Sequence, residues 1–170
     1  MAIRPIITSE NPVLRKKAIK VTSFDAAFQT LVDDMIDTVK DAPGVGLAAP
    51  QVGVSQRVIV VNLPDEPEEY GDNAGKVFVV ANPKIIKTSK QTVLGTEGCL
   101  SIPGYLGEVE RFVTVVVTGQ DRHGKDFRIR ADNWFARIFQ HEIDHLDGIL
   151  YTDRTDKVWK AKDEESATEA

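Results

Sequence analysis

DNWFARIFQHEIDHLDG, residues 132–148, is the stretch from which the rest of the fold is read. Asp132 is an N-cap candidate, the run from Asn133 to Leu146 has helical spacing, and Asp147-Gly148 ends it. On such a helix His141 and His145 stand four residues apart, so both imidazoles leave one face a turn apart. Two ring nitrogens at that spacing can hold one metal ion at about 2.0–2.1 Å each. Glu142 points roughly 100° away, within reach of a water at the metal but badly placed to ligate beside both histidines. Asp144 suits a partner for the far N–H of a ligating histidine better than it suits a ligand. The plain alternative is a solvated helix face that happens to carry two histidines.

A catalytic site of this kind wants a third protein ligand and one open position. The candidates are an acid, His123 and Cys99. His123 lies in DRHGK (121–125), whose composition is that of a turn between strands. Cys99 lies in GTEGCLSIPG (95–104), between a glycine and a later Pro-Gly. Alone it would read as a small buried hydrophobe. Beside a helix that lacks a ligand, its thiolate is the better choice. The stretch GVGLAAPQVG (44–53) lets a backbone pass close to something. It has neither the ending of a phosphate loop nor dinucleotide-site spacing, and Gln51 is its one side chain able both to donate and to accept hydrogen bonds.

Away from these motifs, apolar positions from Phe24 to Val39 repeat with helical spacing, with Ser23 as the expected N-cap and Pro43-Gly44 as the stop. Strands are expected at 57–63, 76–82, 84–88, 111–119 and 126–131, and a short one at Ile149–Tyr151. Residues 64–75 read as a polar, acidic, mobile loop. Residues 153–162 read as a last turn or helix, and 163–170 as a frayed acidic tail. Strands in the middle with helices near both ends indicate an α+β fold, with antiparallel or mixed sheets around the helix that carries the HExxH motif. One catalytic domain is expected over residues 1–170.

Composition excludes several classes. The net charge of −5, without a basic block, leaves no nucleic-acid footprint, so DNA is not an expected partner. No apolar run approaches the ~20 residues of a membrane span, and the N-terminus does not read as a secretory signal. A single cysteine precludes an intramolecular disulfide and agrees with a reducing compartment, so a cytoplasmic location is expected.

Three stretches together resemble the peptide deformylase family: GVGLAAPQ (44–51), EGCLS (97–101) and QHEIDHLDG (140–148), in the family's order and with similar spacing. NPVLRKKA (11–18), Asn82-Pro83 and the run from SIPG to Arg111 are similar too. The resemblance implies hydrolysis of the N-formyl group from formylmethionine on newly made polypeptides, releasing formate. It makes Cys99, His141 and His145 the metal ligands and Glu142 the general acid and base. It makes the Gln51 amide and the Leu100 N–H the oxyanion donors, and it pairs Glu97 with Arg111 to brace the metal loop. Gly44, Val45 and Gly46 would line the peptide cleft. Ile138 and Phe139 are candidates for the methionine pocket, though both could equally be helix core. Fe²⁺ is the implied metal, with Zn²⁺, Ni²⁺ or Co²⁺ able to substitute. Nascent formylmethionyl peptides are the implied partners, with a transient ribosome contact through Lys157, Lys160 and Lys162. Where some members carry a basic residue that meets the substrate backbone, this chain reads PGYLGEVE (103–110), with Tyr105 and Leu106. The rival readings are an HExxH metallopeptidase, which would draw its third ligand from downstream, and a non-catalytic metal-binding or formyl-peptide-binding relative.

Overall fold

The computed structural model describes residues 2–162; the expected tail at 163–170 lies outside them. In chain order the elements are α1 (Ala26–Asp41), β1 (Gly46–Ala48), β2 (Val58–Asn62), α2 (Pro67–Tyr70), β3 (Val77–Thr88), β4 (Thr92–Cys99), β5 (Ile102–Phe112), β6 (Thr114–Gln120), β7 (Asp126–Asp132), α3 (Asn133–Leu146) and β8 (Val158–Lys160), joined by short 3-10 turns. Five strands form one antiparallel sheet in the order β1-β2-β3-β6-β7, and β4-β5-β8 form a second. This is an α+β architecture.

The apolar run of β2 explains the layering. Val58 and Val60 face one side and pack with Phe28, Leu31, Val32, Met35 and Val39 of α1. Ile59 and Val61 face the other and join Val115, Val117, Phe135, Ile138, Phe139 and Leu146, which brings α3 onto that side. Period-two alternation with both faces covered makes every second residue core on each side. The second sheet closes over α3, so every residue from Phe135 to Leu146 is buried. A polar side chain on that helix must therefore find a partner inside the protein.

Several boundaries differ from the sequence reading. The first helix is capped by Asp25, whose carboxylate accepts from Phe28 N at 3.0 Å, and not by Ser23. The two strands expected at 76–82 and 84–88 are one. Asn82 adopts φ 49° at an irregularity in the ladder, and its side chain accepts from Val21 N and donates to Val21 O, so the Asn-Pro pair bends β3 without ending it. Arg111 and Phe112 close β5 in the other sheet instead of opening β6. The β4–β5 hairpin was not expected, because glycine and charge interrupt its alternation. Ile149–Tyr151 is not a strand; a 3-10 turn follows at Tyr151–Asp153, and the last strand is β8, paired with Tyr105–Gly107. Residues 64–75, expected as a loop, hold α2 and a 3-10 turn, and Tyr70 is buried.

Candidate metal centre

Cys99 ends β4, and α3 presents His141 and His145 towards it. One ligand atom from each of the three lies within 4.8 Å of the others, and all three residues are buried. Cys99 Sγ is 3.3 Å from His145 Nε2. Among the described residues, His141 Nε2 has no hydrogen-bond partner although it is buried. An orphaned nitrogen in a site of one thiol and two imidazoles fits a borderline-soft divalent metal, which that donor set binds. His123 stands apart, in a turn where Asp121 accepts from the backbone N–H groups of His123 and Lys125.

Behind the cluster lies a buried ionic network. His141 Nδ1 is 2.9 Å from Glu97 Oε1. Arg111 donates from Nε and Nη2 to the two Glu97 oxygens, at 2.8 Å each. Glu97 and Arg111 are only 2% and 4% exposed, which separates them from a screened surface pair. Burial works to raise the Glu97 carboxyl, yet its bonds to Arg111 and His141 hold it well below the usual carboxylate range. Asp144 was expected beside a histidine. It instead accepts from Arg111 Nη1 at 2.7 Å and from Arg154 at 2.5 and 2.7 Å, so Glu97 is the carboxylate on the histidine. Arg137, unmarked in the sequence reading, donates to Glu97 at 2.6 Å and to the carbonyls of Val109 and Val93 at 2.9 Å. An arginine inside a buried helix face was the available signal.

Glu142 is fully buried, and neither of its carboxylate oxygens has a hydrogen-bond partner among the described residues. Its Oε1 lies 3.9 Å from His141 Nε2. Burial pushes the carboxyl up to about 7, in the range where a group can both take and return a proton. Without metal, burial opposes a charge on His141, but Cys99 and Glu97 outweigh it and raise its pKa. Burial, then the His141 charge, lowers that of His145. A bound cation would take the place of the His141 proton. Gly46 on β1 makes room for Glu142: a Cβ there would sit 2.6 Å from Glu142 Oε1.

Gln51 follows β1 in a 3-10 turn. Its Oε1 accepts from Ala48 N at 3.0 Å, which turns Nε2 towards Ser101 Oγ at 3.2 Å and Cys99 Sγ at 3.6 Å. Leu100 follows Cys99 in the β4–β5 connection and packs half-buried against the α1 core. A cleft of about 460 Å³ opens beside the cluster, lined by Gly44, Val45, Tyr70, Trp134, Ile138 and His141 among others. Thr96–Gly98 on β4, an edge strand of the second sheet, wall it as well, and Gly44–Val45 lead into β1. Phe139 is not part of it. Its ring packs 4.9 Å from that of Phe135 in the core. Gly46 likewise backs Glu142 and is not in the lining. A larger cavity, about 600 Å³ between α1 and residues 19–23, holds none of the cluster residues.

Residues 3–161 match the family model for polypeptide deformylase. A peptide deformylase of Dehalococcoides mccartyi is 54% identical over 153 residues, covering 90% of this chain and 86% of that protein. One from Symbiobacterium thermophilum is 54% identical over 154 residues, covering 91% and 67%. Among solved structures, the Ehrlichia chaffeensis peptide deformylase in complex with actinonin superposes with a TM-score of 0.86 at 39% identity, covering 92% of this chain and 91% of that one. The chain belongs to the polypeptide deformylase family.

Proposed function

We infer that this member of the polypeptide deformylase family is a metal-dependent hydrolase that removes the N-formyl group from the formylmethionine of newly made polypeptides and releases formate. The observation that carries the site assignment is the convergence of Cys99, His141 and His145 within 4.8 Å, with Glu142 beside them.

Cys99, His141 and His145 would hold a divalent ion, which when bound polarises a carbonyl oxygen and lowers the pKa of water towards ~7. Glu142, its carboxyl near neutrality, takes a proton from the attacking water and returns it to the departing amine, so formamide and water become formate and amine. Gln51 Nε2 and the Leu100 N–H donate to the oxyanion of the tetrahedral intermediate. Loss of one such donor typically costs about 10²–10³ in rate. Glu97 accepts from His141 and fixes its ring, while Arg111 and, through Arg111, Asp144 hold Glu97. The peptide backbone pairs with the backbone beside the cleft, at Gly44–Val45 ahead of β1 and along the β4 edge. The methionine side chain enters the apolar part of the cleft at Val45 and Ile138. A formyl group carries only hydrogen beyond its carbonyl, so a narrow site accepts it and turns away acetyl.

Fe²⁺ is the proposed native metal, with Zn²⁺, Ni²⁺ or Co²⁺ able to replace it, because a thiolate and two imidazoles suit each of them. The proposed setting is the cytoplasm, with a transient ribosome contact through the lysines on and beside β8; no helix among the described residues is long and apolar enough to cross a membrane. Protein prepared without oxygen and loaded with Fe²⁺ or Ni²⁺ should release formate from formyl-Met-Ala-Ser and leave acetyl-Met-Ala-Ser nearly untouched. No formate under those conditions would sink the proposal. An enzyme that instead cut the Met-Ala bond would be a peptidase.

A further inference from the structure

The segment 64–75 forms a wall of the cleft. Leu63 N donates to Lys76 O and Gly75 N to Pro64 O, each at 3.0 Å, so its base is closed. Within it, Glu69 N and Tyr70 N both donate to Glu66 O, at 3.1 and 2.9 Å. Its outer end meets α3, where Glu69 Oε1 accepts from Trp134 N at 3.4 Å. This framework leaves Tyr70 only 7% exposed, packed with the core around α3 and lining the cleft with Val45, Ile138 and Trp134.

We propose that Tyr70 is a specificity-determining residue whose ring contacts the thioether of the substrate's methionine; this rests on the deformylase reading above. Aromatic rings attract polarisable sulfur beyond what burial supplies. Norleucine has the same length and nearly the same shape as methionine, with a methylene in place of sulfur. Burial alone favours norleucine, since a methylene gains more than a thioether on leaving water. A preference for methionine must therefore come from contacts to sulfur, and contacts of this kind are worth roughly two- to tenfold in affinity.

The test compares kcat/KM for formyl-Met-Ala-Ser and formyl-norleucine-Ala-Ser in the metal-loaded enzyme, in Tyr70→Phe and in Tyr70→Leu. Methionine should be favoured about two- to tenfold in the first two, and the ratio should fall to one or below in Tyr70→Leu. A general loss of structure would lower both substrates together and leave the ratio in place. An unchanged ratio in Tyr70→Leu, or a wild-type preference for norleucine, would overturn the proposal. A second readout needs no turnover and no leucine variant. Fluorotyrosine-labelled protein has three ring sites, Tyr70 being assigned by its loss in Tyr70→Phe, and Met-Ala-Ser should shift that resonance. A resonance that stays in place while Met-Ala-Ser binds overturns the proposal, whatever the kinetics. Absence of formate from both substrates would instead count against the deformylase reading, with the fluorine signal still judging Tyr70.

Discussion

Replacing Gly46 by alanine should disable the site while leaving its metal in place. Gly46 is not among the positive-φ glycines, so an alanine backbone is unstrained and the added methyl is the whole perturbation. That methyl would sit 2.6 Å from Glu142 Oε1 and 2.8 Å from Cδ and Cγ, where ordinary contact begins at 3.4 Å. The carboxylate must therefore retreat by roughly 0.8 Å or turn away, inside a site where it is fully buried. A misplacement of about 1 Å can cost on the order of 10²-fold in rate, close to 2.7 kcal/mol in the barrier. Overpacking should lower stability by about 1–3 kcal/mol, leaving a folded protein. Formate release gives the rate, elemental analysis the metal content, and urea denaturation the stability. The three atoms nearest the added methyl all belong to Glu142, so metal stoichiometry should match wild type. A Gly46→Ala enzyme within threefold of wild type would refute the argument, because Glu142 would then tolerate a shift that the packing disallows.

Three further outcomes are expected. Arg111→Ala leaves Glu97 and Asp144 without a shared, buried guanidinium and should cost about 3–5 kcal/mol in urea denaturation; a loss below about 1 kcal/mol would mean the pair behaves as a surface one. Cys99→Ser should weaken metal binding by more than the ~10–100-fold typical of losing an outer partner; unchanged affinity in a competition titration would place the third ligand elsewhere. Glu142 has a folded pKa of about 7, raised above that of the unfolded chain, so its own contribution to the stability of the metal-free protein should fall as pH rises from about 4.5 to 7 and not return above it. Metal-free Glu142→Gln should therefore gain on wild type by up to about 3 kcal/mol at pH 8 and by nothing at pH 4; the same difference at both values would contradict the burial argument.

The helical pair in QHEIDH was legible because four residues of spacing on one helix are a local fact, set by backbone geometry alone. The α+β class followed from periodicity, and the two helices that flank the strands were expected within a few residues of where they lie. The β4–β5 hairpin was not, because its glycines have packing reasons. A Cβ at Gly95 would meet the Arg137 guanidinium at 2.7 Å, and one at Gly107 would meet the Tyr151 ring at 2.8 Å. Those contacts are invisible until the helix is in place.

Sequence by itself determined the two-histidine face and, through the motifs, the expectation that Cys99 stands beside it. Only the tertiary structure decided the company these groups keep. It put Glu97 rather than Asp144 on His141, turned Gln51 Nε2 towards Cys99, left Phe139 in the core and brought Tyr70 into the cleft. The physical reason is that α3 is buried along nearly its whole length between two sheets. Arg137, Gln140, His141 and Asp144 on it then take partners from strands far away in the sequence, and no local pattern encodes those.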